Sequence, residues 1–181
     1  MTTGTSARTI KDLLKDPTRS VLREKLLEHV FLAELLQEAW VQGIDVSVMR
    51  AEVDVWGYDL VLKSHDVVRL VQLKSGSKGR SVTIHNALGT SPGACVVKME
   101  PVPTKDGRRV GLSYQFAGGH PTKSLDLRDA PVARQLRYKK DGTKAARLNH
   151  VKLGTSRFGP SLTMEELVGR LFSSPGKGDV P

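Results

Sequence analysis

The stretch Tyr58–Gly76, YDLVLKSHDVVRLVQLKSG, decides the fold. Two runs rich in Val and Leu, YDLVLK and VVRLVQLK, flank the short polar link Ser64-His65-Asp66, which is the pattern of two strands joined by a tight hairpin turn. Residues two apart on a strand project from the same face. Gln72 and Lys74 therefore converge on one side, and an antiparallel partner brings Asp59 opposite them. Val71 and Leu73 then point the other way, into a packed layer.

Upstream, VLREKLLEHVFLAELLQEAWVQ runs from about residue 20 to 42 without Gly or Pro and stops before Gly43, which predicts a long helix. At about 100° per residue, Phe31, Leu32, Leu35, Leu36 and Ala39 gather on one face, with Glu28 in the middle of them. A carboxylate on a core-facing stripe must be paired, bound to a cation or protonated. Glu34 and Glu38 lie further round and read as solvated charges, with Glu34 the substitute for Glu28 if the wheel is rotated. Residues 44–49 alternate as a first strand. Downstream, further strands are expected at Val82–Leu88, Ala94–Glu100 and Leu112–Phe116, separated by Gly, Pro and Ser clusters. Beyond Gly118-Gly119 the chain is basic and without clear periodicity. A last helix is signalled by Thr163 and Glu166, spaced as a capping box. These elements predict an α+β domain over residues 20–172, a flexible tail over 1–19 and a disordered tail over 173–181.

Composition narrows the partners. The 181 residues are 39% hydrophobic, enough for one core, and carry a formal charge of +9 with a pI near 9.8. Such a surface attracts polyanions, nucleic acid first among them, with an acidic protein as the other reading. The lone Cys95 sits in the apolar run ACVVKM and reads as a small buried hydrophobe. There is no apolar run of membrane-spanning length, and the polar first eight residues lack a secretory core, so a cytoplasmic protein is expected. His29, His65, His85, His120 and His150 show no metal-ligand spacing, and no phosphate-binding P-loop or serine elbow is present. Trp40 and Trp56 read as core or edge packing, Trp56 near the hairpin.

The hairpin residues suit metal-assisted phosphodiester hydrolysis. The Asp59 carboxylate and the Gln72 amide oxygen are hard donors for Mg²⁺ or Mn²⁺, and the Leu73 carbonyl offers a further one. The Lys74 ammonium would orient a water and stabilise charge developing on the phosphate. Glu28 would add a second carboxylate. The plain alternative for Lys74 is a strand-end ion pair with Asp59. Lys78 and Arg80, in the loop after Lys74, and Arg137, Lys139, Lys140, Lys144 and Arg147 further on form a candidate nucleic-acid footprint. A solvated loop accounts for Lys139 and Lys140 equally well.

From Glu28 to Lys74 the sequence resembles the PD-(D/E)XK nuclease superfamily. Through REKLLEHVFLAELL, EVDVWGYDLVL, VVRLVQLKSG and ACVVKM it is similar to a bacterial family related to that superfamily. The resemblance implies a restriction-endonuclease-like core with a mixed β-sheet flanked by helices. It makes Asp59 the central metal ligand, Lys74 the catalytic lysine and Glu28 the helix acid. Gln72 stands where the family usually has an acid, which removes one negative charge from the site unless Glu28 or Glu52 compensates. The function implied is metal-dependent cleavage of DNA, in a fold whose enzymes often act as homodimers. The alternatives are a nucleic-acid-binding protein of the same fold without turnover, and a basic protein-interaction module.

Overall fold

A computed structural model describes residues 9–52, 55–138 and 144–172. Part of the segment expected as a flexible tail is helical: α1 spans Ile10–Lys15. Thr9 and Asp12 cap it reciprocally, the Thr9 N–H donating to the Asp12 carboxylate at 2.9 Å, and the Ile10 N–H ties it to the Gly107 carbonyl. A single 3-10 turn at Pro17–Arg19 leads into α2, Ser20–Val41.

The strands are β1 (Ser47–Arg50), β2 (Leu60–Ser64), β3 (Val67–Ser75), β4 (Val82–His85), β5 (Ala94–Pro103), β6 (Val110–Gly118), β7 (Val132–Tyr138) and β8 (Lys144–Leu153). They form a five-stranded sheet in the order β1-β2-β3-β5-β6 and a three-stranded sheet in the order β4-β8-β7. The larger sheet is mixed, because β3 and β5 pair in parallel while its other pairs are antiparallel. The run expected as one strand over residues 82–88 breaks after His85, whose ring accepts from the Ala87 N–H and opens a 3-10 turn, Asn86–Thr90. The stretch beyond residue 119, which has no readable period, supplies β7 and β8. The last helix, α3 (Met164–Phe172), is capped by Thr163 and Glu166, the Thr163 N–H donating to the Glu166 carboxylate at 2.8 Å. Residues 173–181 lie outside the described residues.

Two cores sandwich the larger sheet. On one face, Leu27, Phe31, Leu35 and Ala39 of α2 and Leu167, Val168 and Leu171 of α3 pack on Leu60, Leu62, Val71, Cys95 and Val97. Each fully buried Leu or Phe contributes about 2 kcal/mol. On the other face, Ala94, Val96 and Leu70 meet Val82, Ile84, Val151 and Leu153 of the smaller sheet. That second layer was not foreseen. The buried stripe of α2 is also rotated from its expected centre: Leu36 is exposed, and Leu27 takes the position assigned to the neighbourhood of Glu28. Trp40, expected in packing, is 78% exposed, and Trp56 is more than half exposed.

One buried cation orients the helix layer. Arg69, on the α2 face of β3, donates to the carbonyls of Leu171, Arg170 and Gly119, each at 2.8 Å. Two of these acceptors end α3, where unsatisfied carbonyls and the helix dipole favour a positive charge.

Candidate active site

Asp59 sits just before β2, held by its backbone on both sides. Its N–H donates to the Val71 carbonyl at 2.9 Å, and its carbonyl accepts from the Ala51 N–H at 3.1 Å. Its carboxylate accepts from the Leu73 N–H at 2.6 Å, standing in for a ladder partner where β2 has not yet begun. One step beyond the Leu60–Val71 pair, Asp59 lies across from Gln72. Gly57, two residues earlier, has φ +81°, and a Cβ there would lie 2.4 Å from the His85 Cβ. Only glycine allows the approach to Asp59 to pass this close to β4.

Asp59, Lys74 and Glu28 line one cleft of about 330 Å³, together with Glu24, Lys25, Leu73, Ser75 and Met99. Glu24 was missed in the sequence. It lies one turn before Glu28 on the same helix face, a spacing of four that would have exposed it. Glu28 is 12% exposed and already paired, with Arg50 at 3.0 Å and Lys25 at 2.9 Å. It stands on the flank of the buried stripe rather than at its centre. Glu34, read as solvated, instead accepts a hydrogen bond from the Tyr114 hydroxyl. Burial, with Glu34 as neighbour, pushes the Tyr114 hydroxyl well above the usual tyrosine range.

Gln72 is 2% exposed and does not line the cleft. It pairs with Val96 on the face covered by the smaller sheet, and among the described residues its Oε1 has no hydrogen-bond partner. Lys98 is a second residue that the sequence reading passed over. It lies opposite Lys74 in the β3–β5 ladder and is 2% exposed. Its Nζ donates to the Arg80 carbonyl at 2.8 Å and lies 5.7 Å from the Phe158 ring centroid. Burial holds its pKa below the ordinary lysine value, with Glu100 acting in the opposite direction. The visible cue was a cation inside the apolar run ACVVKM. Cys95 in the same run is buried, and burial pushes its thiol up to about 12.

For a hard divalent cation the fit is partial. The Asp59 carboxylate and the unpartnered Gln72 oxygen are suitable donors, whereas Glu28 is neutralised by two cations. Among the described residues no three His, Cys, Asp or Glu side chains gather as a metal-ligand group. Of the footprint cations, Lys78, Arg80 and Arg147 are exposed and Lys144 is half-buried. The backbone of Arg137 belongs to β7, but its side chain, like Lys139 and Lys140, lies outside the described residues. Among the described residues no helix is long and apolar enough to cross a membrane.

Comparison with solved structures finds the 1.6 Å structure of Hjc, a Holliday junction resolvase from the archaeal hyperthermophile Archaeoglobus fulgidus. The similarity covers 79% of this chain and 96% of that chain at 16% identity, with a TM-score of 0.40. No family model matches the chain, and no curated protein matches it.

Proposed function

We propose that this protein is a divalent-metal-dependent nuclease that hydrolyses phosphodiester bonds in DNA, with a restriction-endonuclease-like core. The observation that carries this reading is the meeting of Asp59 and Lys74, from adjacent strands, in a single cleft that also receives Glu28 from α2. Asp59 would hold Mg²⁺ or Mn²⁺ in the cleft, and Gln72, buried outside its lining, would have to turn its amide oxygen toward it; when bound, the metal supplies Lewis acidity toward a phosphate oxygen. Lys74 orients the attacking water and offsets negative charge on the phosphate. Lys78 and Arg80 extend from the end of β3 and hold the nucleic-acid backbone. The test is cleavage of supercoiled and branched DNA by the wild type, Asp59→Ala and Lys74→Ala, in Mg²⁺, Mn²⁺ and EDTA. Cutting by the wild type alone, and only with metal, supports the reading, while equal cutting by all three proteins removes it.

The pairing of Glu28 with Arg50 and Lys25 favours a second reading, a DNA-binding protein of this fold without turnover. It predicts salt-dependent DNA binding with supercoiled plasmid left intact in both metals.

A further inference from the structure

Strand β8 changes character along its length. From His150 to Leu153 its residues alternate between covered and exposed, and this part pairs with β4 on one side and contributes Val151 and Leu153 to the second core. In the other half, Ala146, Arg147, Leu148 and Asn149 are all exposed in succession. Four consecutive exposed residues mean that both faces of the strand meet solvent. Among the described residues β7 is the one strand paired with it there, through Ala133–Arg147, Arg134–Ala146 and Tyr138–Lys144, and the Asn86 amide donates to the Leu148 carbonyl at 3.4 Å. Apart from Ala133, which is buried, the described outer part of β7–β8 is thus a two-stranded ribbon with little core of its own, an arrangement of marginal stability in water.

The charge on this ribbon points to its partner. Among its described side chains the ribbon carries Arg134, Lys144 and Arg147 and no acid. Residues directly opposite in an antiparallel pair share a face, so Arg147 lies on the face of Ala133, and Arg134 on the other face with Ala146. A ribbon that merely rested on a polyanion would concentrate its cations on one face. Cations on both faces suit a ribbon flanked by phosphates on two sides. The major groove of B-form DNA, about 12 Å wide, admits a two-stranded ribbon between its phosphate walls. Residues 144–149 span about 20 Å at the usual strand rise. Leu148, 76% exposed, adds an apolar group of the kind that contacts a thymine methyl. The ribbon's root also lies near Asp59 in the fold. His150 pairs with His85, whose Cβ packs against Gly57, two residues from Asp59.

We infer that the outer β7–β8 ribbon enters the major groove of a B-form DNA duplex and positions it over the Asp59–Lys74 cleft. The inference rests on the reading of DNA as substrate and deepens it to duplex DNA gripped beside the cleft. The test is binding, with the full chain in EDTA so that no cleavage intervenes. Fluorescence anisotropy would compare a DNA duplex of about three helical turns with the matching RNA duplex, whose A-form major groove is too narrow and deep for side chains to read. The variant Arg134→Gln/Arg147→Gln is set against Lys11→Gln/Lys15→Gln, which removes the same charge from the exposed face of α1. The ribbon variant is expected to lose about tenfold or more in DNA affinity and to flatten the log–log salt slope by about two, with thermal melting unchanged. The α1 control should fall much less, and the wild type should bind the DNA duplex more tightly than the RNA duplex. Wild-type affinity in the ribbon variant, an equal loss in the control, or equal binding of both duplexes overturns the inference. Loss of DNA binding in the ribbon variant, in a protein that never cleaves, would sink the nuclease reading and leave the ribbon standing.

Discussion

Strand β3 carries one buried polar residue on each face, and the two are treated in opposite ways. On the helix face, Arg69 is closed in by three backbone carbonyls and lies 5.9 Å from the centroid of the Phe116 ring. On the face toward the smaller sheet, Gln72 is as deeply buried, yet its Oε1 accepts nothing among the described residues. A buried acceptor left without a partner costs about 1–3 kcal/mol. Arg69 is therefore an architectural group, satisfied by the fold itself. Gln72 is a group that the fold leaves incomplete, across from Asp59 just before β2.

The contrast can be broken at several strengths. Arg69→Ala should lose about 2–4 kcal/mol in urea unfolding, since it removes the donor from the buried Leu171 carbonyl and from two partly buried ones, and Arg69→Lys should not restore it because one ammonium cannot span the three acceptors. A change below about 1 kcal/mol would show that α3 is held by its apolar face alone. Lys74→Ala should lower cleavage by about 10²–10³-fold, with a melting temperature close to the wild type, because its side chain lines an open cleft. Gly57→Ala is expected to cost about 2 kcal/mol or more from the left-handed backbone and the contact with His85. Gln72→Leu should be neutral or stabilising by about 1 kcal/mol while weakening any metal response, measured by thermal melting with and without Mg²⁺. A stability loss as large as that of Arg69→Ala would erase the distinction between the two faces. The smallest change is His65→Gly in the hairpin turn, where φ is +48°, with an expected gain of about 0.5–1 kcal/mol.

Local pattern made the hairpin and α2 readable. Strand alternation placed Asp59 and Lys74 at one cleft, whereas Gln72, expected to face it beside Lys74, is buried outside its lining, and a helix without Gly or Pro could be bounded within a residue or two. The exact rotation of α2 was not readable, because Leu26, Leu27, Val30, Phe31, Leu32, Leu35 and Leu36 form an arc too broad to have one obvious centre. Only tertiary packing chooses the line Leu27–Phe31–Leu35–Ala39, which moves Glu28 to the flank and gives it Arg50 as a partner. Arg69 was silent for a different reason: its acceptors lie 102, 101 and 50 residues away. The smaller sheet escaped because period-2 alternation requires one covered face, and the outer half of β8 has none. Lys98 and the burial of Gln72 depend on that same unseen layer.

The route from β3 to β5 has a consequence for synthesis on the ribosome. Instead of a helix, the crossover between these parallel strands contributes β4 to the other sheet, and β4 finds its partner only when β8 arrives. His85 pairs with His150, 65 residues later. At about 5–20 residues per second, a newly made β4 waits about 3–13 s with its backbone donors and acceptors unmatched. During that interval the nascent chain holds a finished helix and hairpin beside an unclosed seam, and any aggregation or chaperone engagement would be concentrated there.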